Sequence, residues 1–298
     1  MRALFILLIC LQFLILPESV YAFLTASNIL QIPYKEADYR IPYGEQPRQF
    51  GDLRLPNTKG PYPVVVIIHG GCWLSRMANV NFMSPLSEAL TKKGYATWNI
   101  EYRAADSNGG GWPGTFQDVG NAVDFLRKLA PKYNLDLTKV IILGHSAGGH
   151  LALWAAARHK LPKNSEVGSQ DPLIVKGVIS LAGPGDLRTY IPLGERVCKN
   201  NTIFKMLVGA TPDLVNQRIS QVSPFELLPT GVKQIVITGD NDKGVPPALG
   251  EQYVNSAKQK GDDATFMLGK DSAHYESVAP GSHMWPMVEI AVDNLLNK

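Results

Sequence analysis

Several short runs of apolar, β-branched residues recur along the chain. Val64–Ile68 reads VVVII, Val140–Leu143 reads VIIL and Gln234–Thr238 reads QIVIT. A run of this length without polar alternation predicts a strand buried on both faces. Tyr95–Tyr102, Val175–Ser180 and Ala264–Leu268 predict three more strands, and Gln49–Leu55 predicts an edge strand closed by Pro56-Asn57. The stretches between them have helical spacing. In Phe116–Leu129, the residues Val119, Ala122, Val123, Leu126 and Leu129 share one face. Residues 80–93, 147–158, 249–260 and 284–296 predict further helices, with Gly94 and Gly261 as stops. Asp136–Thr138 predicts a turn, and residues 23–50 predict no regular element. Strand and helix alternate, so the fold class is α/β: a mostly parallel, doubly wound central sheet with helices on both faces. No linker divides the chain, and residues 23–298 are expected to form a single domain. Residues 186–224 lack a strong strand and predict a helical excursion over a pocket.

Composition narrows the class. Apolar residues make up 45% of the 298 positions and charged residues 18%, which excludes a disordered chain. The net charge is only +3 and no dense Lys/Arg run occurs, so no nucleic-acid partner is expected. Leu4–Leu16 is apolar except for Gln12, shorter than the ~20 residues a bilayer span needs, and Val20-Tyr21-Ala22 follows. Residues 1–22 therefore read as a secretory signal peptide. This predicts a secreted or periplasmic protein with no stable membrane insertion after cleavage; the alternative is an N-terminal anchor. The mature chain keeps Cys72 and Cys198. Two cysteines make no framework, and a bridge at Cys72 would sit awkwardly inside a motif, so no disulfide is expected. Asn200-Asn201-Thr202 is an acceptor tripeptide for N-glycosylation.

The chemistry sits at the ends of the predicted strands. Gly144-His145-Ser146-Ala147-Gly148 is G-x-S-x-G, placed between the strand at 140–143 and the helix from 147. In that frame the serine sits on a sharp turn with its oxygen exposed above the sheet. His69-Gly70-Gly71-Cys72-Trp73 follows the VVVII strand directly. Such a loop offers backbone N–H groups to a developing oxyanion, here those of Gly71 and Cys72 together with Ala147. His69 is expected to hold this loop by hydrogen bonding. A serine nucleophile needs a base and an orienting acid. Asp240 and Asp242 both follow the QIVIT strand, and His274 follows the strand at 264–268, at the sheet edge where a site is expected. His274 is the predicted base, with His283 its local rival. His150 is expected to pack or hydrogen-bond and His159 to be solvated. The histidines form no tight metal pattern, so no metal and no cofactor are expected.

These residues resemble the α/β-hydrolase fold, specifically carboxylesterases of the hormone-sensitive-lipase-like and BD-FAE type, a group that includes kynurenine formamidase-like enzymes. The resemblance covers residues 49–295 and rests on PVVVIIHGGCW (63–73), EYR (101–103), VIILGHSAGGHLAL (140–153), SPFELL (223–228), GDNDKGVPP (239–247) and AHYE (273–276). It implies a triad of Ser146, Asp242 and His274, preferring Asp242 over Asp240 because Val245-Pro246 follows. It also implies oxyanion donors at Gly71, Cys72 and Ala147. Cys72 departs from the usual glycine, and the stretch around Gly109–Gly111 and Trp112 departs near the pocket.

The expected activity is hydrolysis of short-chain acyl esters, on a small-molecule or polysaccharide-borne substrate, through an acyl-enzyme. Trp73, Trp112, Met284 and Trp285 are the candidate substrate-pocket residues. The rival within the same machinery is an arylformamidase acting on an N-formylkynurenine-type amide. The rival of another class is a catalytically silent binding module on this scaffold. A long-chain lipase would need a larger apolar lid than residues 186–224 supply.

Overall fold

Eight strands assemble into one sheet in the computed structural model, which describes residues 22–199 and 203–296. The leader reading covers residues 1–22, of which 1–21 lie outside the described residues, as does the acceptor tripeptide 200–202. The strands are β1 (Tyr39–Pro42), β2 (Phe50–Arg54), β3 (Tyr62–Ile68), β4 (Ala96–Ile100), β5 (Leu135–His145), β6 (Gly177–Leu181), β7 (Lys233–Gly239) and β8 (Ala264–Gly269). Their spatial order is β1-β2-β4-β3-β5-β6-β7-β8. β1 pairs antiparallel with β2, and β2 antiparallel with β4; all other pairings are parallel.

Among the described residues ten α-helices connect and cover the sheet. They are α1 (Ala26–Leu30), α2 (Ser84–Lys92), α3 (Gly114–Asp124), α4 (Leu126–Tyr133), α5 (Ala147–Ala157), α6 (Leu187–Val197), α7 (Ile203–Val208), α8 (Pro212–Val222), α9 (Pro247–Gln259) and α10 (Trp285–Leu296). The unalternated strands now have a cause. Val64, Val66, Ile68, Val140 and Ile142 pack into one apolar layer with α3, α4, α5 and α9. Val65, Ile67, Ile141 and Leu143 pack into the other with α1, α2 and α10. All nine side chains are fully buried, so each strand residue meets oil on its own side.

Four elements differ from the sequence expectation. The periodic stretch 116–129 is two helices, α3 and α4, joined at Phe125. Val119, Leu126 and Leu129 are buried on both sides of the break, so the apolar period does not reveal it. Asp136–Thr138 lies within β5, although Asp136 still accepts hydrogen bonds from the Thr138 N–H and hydroxyl. Residues 23–50 contain α1 and β1. β1 is mostly exposed and so carries no apolar pattern. Its presence moves β2 from the sheet edge to the second position.

Two features frame the site. Between β6 and β7 the chain leaves the sheet through α6, α7 and α8. At the N-terminus, the Leu24 N–H donates to the Glu276 carboxylate at 2.7 Å, fastening the first described residues beside the loop after β8. Among the described residues no helix is long and apolar enough to cross a membrane.

Candidate active site

Ser146 occupies the turn from β5 into α5 with φ 54° and ψ −119°, a conformation L residues rarely adopt. Its own N–H donates to the Leu181 carbonyl of β6 at 2.8 Å, which anchors the turn. The neighbouring glycines are required by close approach. A Cβ on Gly148 would collide with the Ile68 and His69 carbonyls at the end of β3. A Cβ on Gly70 would lie 3.1 Å from Ser146 Cβ and 2.8 Å from the His145 carbonyl oxygen. The serine thus rides on a β3–β5–α5 junction that admits no side chain at either position.

Asp242 and His274 come from the loops after β7 and β8. His274 Nδ1–H donates to Asp242 Oδ2 at 2.7 Å. The other carboxylate oxygen accepts the N–H groups of Gly244 at 2.8 Å and Val245 at 2.9 Å, and the carboxylate is fully buried. Asp240 faces elsewhere: its Oδ1 accepts from the Asn241 amide and the Ser272 N–H. The loop carrying His274 is pinned at several points. Glu276, which holds Leu24, also accepts the Ala273 N–H at 2.9 Å. His283 Nε2 lies 3.0 Å from the Lys270 carbonyl and 2.6 Å from the Ser272 hydroxyl, so this histidine braces the loop from outside.

His145, next to the serine, donates from Nε2 to the His274 carbonyl at 2.9 Å. Its Nδ1 is buried with no partner among the described residues. Burial, with the neighbouring His274, pushes the imidazole down to about 3, so it is neutral at ordinary pH. His150 is likewise buried, donates to the Val222 carbonyl at 2.9 Å and is pushed down to about 4. His159 is half-buried and meets the Ala156 carbonyl.

The loop after β3 has three consecutive residues with positive φ: Gly71 at 94°, Cys72 at 54° and Trp73 at 54°. None of the described residues accepts a hydrogen bond from the Gly71 or Cys72 N–H. Ala147 stands first in α5, where the N–H groups have no partner within the helix. His69 is buried with both ring nitrogens at acceptors, Nε2 3.0 Å from Glu101 and Nδ1 2.9 Å from the Gly70 carbonyl. Glu101 also receives Arg48, the Val80 N–H and the Tyr102 N–H. His69 thereby holds the loop against β4, the role read from its position.

A cavity of about 130 Å³ opens between these elements, walled in part by Gly71, Cys72, Ser146 and His274. The rest of its wall includes Phe82, Tyr190, Val197 and Tyr275. None of Trp73, Trp112, Met284 and Trp285 lines it. Trp73 is buried beneath the helical excursion, against His150, Tyr190 and Phe204. Trp112 sits under the Arg218 guanidinium with its indole N–H on Glu166. Met284 and Trp285 pack in the helical layer with α10. Large apolar residues near a motif are as useful to a core as to a pocket, and here the core claims them. Tyr275 had a signal in the sequence, since it follows His274 directly; Phe82 and Val197 had none.

The expectation of two free cysteines is corrected. Cys72 and Cys198 form a disulfide with Cα atoms 5.8 Å apart. Cys72 lies at the carboxyl end of β3 and Cys198 closes α6, which folds back over that end. The separation of 126 residues hid this proximity. Among the described residues no group of three or more His, Cys, Asp or Glu is placed to hold a metal ion.

The BD-FAE family model matches residues 52–256. The chain is 26% identical over 219 residues to esterase LipC of Mycobacterium tuberculosis, covering 72% of this chain and 53% of that one. Curated relatives of this kind are longer, and the chain spans 53% to 63% of the length of several of them. Among solved structures, esterase B from Lactobacillus rhamnosis is similar with a TM-score of 0.74 and 20% identity, covering 91% of this chain and 90% of that one. A truncated carbohydrate esterase from gut microbiota has a TM-score of 0.72 and 23% identity, covering 89% and 98%. At these identities the structural similarity speaks for the α/β-hydrolase fold.

Proposed function

The chain belongs to the BD-FAE family, and we propose that it is a serine esterase that removes short acyl groups from small or carbohydrate-borne alcohols. One observation carries the reading. Ser146 and His274, the latter fastened to buried Asp242, face one cavity that the unpartnered N–H-bearing residues Gly71 and Cys72 also line. A deprotonatable hydroxyl, an oriented imidazole and free donors in one small space suit acyl transfer.

His274 Nε2 takes the Ser146 proton as Oγ attacks the ester carbonyl. The tetrahedral oxyanion is held by the N–H groups of Gly71, Cys72 and Ala147, each worth about 3–4 kcal/mol in comparable sites. His274 then gives its proton to the departing alcohol, leaving an acyl-serine. Water, deprotonated by the same imidazole, attacks the acyl carbonyl and frees the acid. Asp242 keeps Nδ1 protonated, so that Nε2 is free to accept, and steadies the imidazolium. The volume supports a short acyl group: ~150 Å³ of apolar cavity just holds a benzene ring, and this one is smaller. The cavity is not closed off from solvent, which is compatible with a bulky alcohol such as a sugar lying outside it. The similarity to a carbohydrate esterase favours that leaving group.

The test is turnover of p-nitrophenyl acetate, butyrate and octanoate by residues 23–298, with N-formylkynurenine in parallel. Acetate and butyrate should be cleaved well and octanoate poorly, and Ser146→Ala should cost about 10⁴-fold or more. A marked preference for the formamide would move the assignment to an arylformamidase. A folded protein that turns over none of them would leave a binding module.

A further inference from the structure

Of the three residues with positive φ in the loop after β3, two are held by contacts of their own. Gly71 has no Cβ to clash, and its carbonyl accepts the Leu74 N–H at 2.9 Å. Trp73 is buried, its ring wedged among His150, Tyr190 and Phe204, and its carbonyl accepts the Ala105 N–H at 2.7 Å. Cys72 carries a Cβ in a left-handed conformation, where that atom crowds the following carbonyl. No hydrogen bond from its N–H reaches a described residue, and what fastens its side chain is the bond to Cys198. At the other end of that bond, Cys198 closes α6, the helix whose Tyr190 and Val197 line the same cavity as Cys72 and Ser146.

We propose that Cys198 is a positioning residue: through the Cys72–Cys198 bridge it holds the Cys72 N–H toward the oxyanion and fixes the α6 wall of the acyl pocket. This rests on the serine-esterase reading. Where a glycine would reach the same backbone conformation unaided, this chain uses a tether, and the tether joins the oxyanion loop to the roof. Transition-state stabilisation and pocket width are therefore set by one covalent link. Its loss lowers kcat, because the donor matters once negative charge has developed, and leaves KM for a small ester little changed.

Cys198→Ser and the double variant Cys72→Gly/Cys198→Ser test this, each compared with wild type on p-nitrophenyl acetate and butyrate. Folding is checked by circular dichroism, with rates taken well below the melting temperature. Cys198→Ser should lose about 10–100-fold in kcat, less than the 10²–10³ of removing a donor outright, with KM within about threefold. The double variant should recover most of that loss, because glycine occupies positive φ without a tether. If Cys198→Ser does not fold, wild-type enzyme is treated with dithiothreitol. Two thiol–disulfide exchanges oxidise the reagent to its cyclic disulfide and leave Cys72 and Cys198 as thiols, counted by alkylation and mass spectrometry. A fall in kcat with unchanged dichroism is the expected result. Wild-type kcat in Cys198→Ser, or in fully reduced enzyme, would overturn the proposal while the esterase reading stood. So would a Cys198→Ser loss that glycine at position 72 does not recover, since the bridge would then be scaffold alone. Absence of turnover in oxidised wild type would overturn both.

Discussion

Asp240 and Asp242 stand two residues apart on one loop, and their surroundings assign them different work. Asp242 is buried, bonded to His274 Nδ1 and to two backbone N–H groups; Asp240 braces the loop from its outer side. Asp242→Asn should lower kcat by about 10³–10⁴-fold, because an amide that donates to Nδ1 selects the wrong tautomer. Asp240→Asn should stay within about threefold of wild type. Steady-state kinetics on p-nitrophenyl acetate checks both, and an equal loss in the two variants would refute the assignment. At this scale the sequence was informative wherever spacing is forced by backbone contact. Gly70 and Gly148 touch the serine turn, so the motif around Ser146 is written in the chain. The pocket wall was not legible, because nothing in the pattern distinguishes an apolar residue facing a cavity from one facing a core. Trp73 and Met284 went to the core, and Phe82 and Val197 to the cavity.

Glu101 is where elements meet. Its carboxylate receives His69 from the loop after β3, Arg48 from the segment before β2, and the N–H groups of Val80 and Tyr102. Burial alone would raise this carboxyl, but His69, Arg48 and the backbone donors hold it below the ordinary range. Glu101→Gln keeps the shape and removes the charge from a buried cluster. A loss of about 3 kcal/mol is expected, a drop in melting temperature of roughly 5 °C. Thermal unfolding monitored by circular dichroism reads it, and an unchanged midpoint would mean the cluster is incidental. Elements defined by burial on both faces, such as β3, β5 and β7, were legible from composition alone. β1 was not, because an exposed four-residue strand is defined by its partner and not by its own residues. The α3–α4 break was hidden for the opposite reason: burial continues through it.

Across the whole molecule, two buried histidines weaken the fold toward acid. His145 and His150 are held neutral in the fold, at about 3 and about 4, against an ordinary value of 6.5 in the unfolded chain. Below pH 6.5 the unfolded chain takes up protons that the folded one refuses, so stability is full above that value and is lost as pH falls toward 4. Between pH 7 and pH 5 the two together should cost about 2–4 kcal/mol. Urea unfolding at both pH values checks this, with His150→Gln expected to flatten the dependence; identical midpoints for wild type would count against neutral burial. The disulfide also belongs to this scale, since it links residues far apart in sequence that only the completed fold brings together.

The strap of residues 22–26 has a practical consequence. Leu24 is bonded to Glu276 beside the His274 loop, and Ala26 forms part of the cavity wall. Leu295, near the end of α10, instead packs against Gly177 at the start of β6, at the opposite ends of the strands from the site. A purification tag or surface linker joined ahead of residue 22 therefore starts beside the loop that carries His274 and is expected to crowd a bulky ester there. Attached beyond α10, the same tag starts from the other end of the strands, so immobilisation there is expected to leave the His274 loop free.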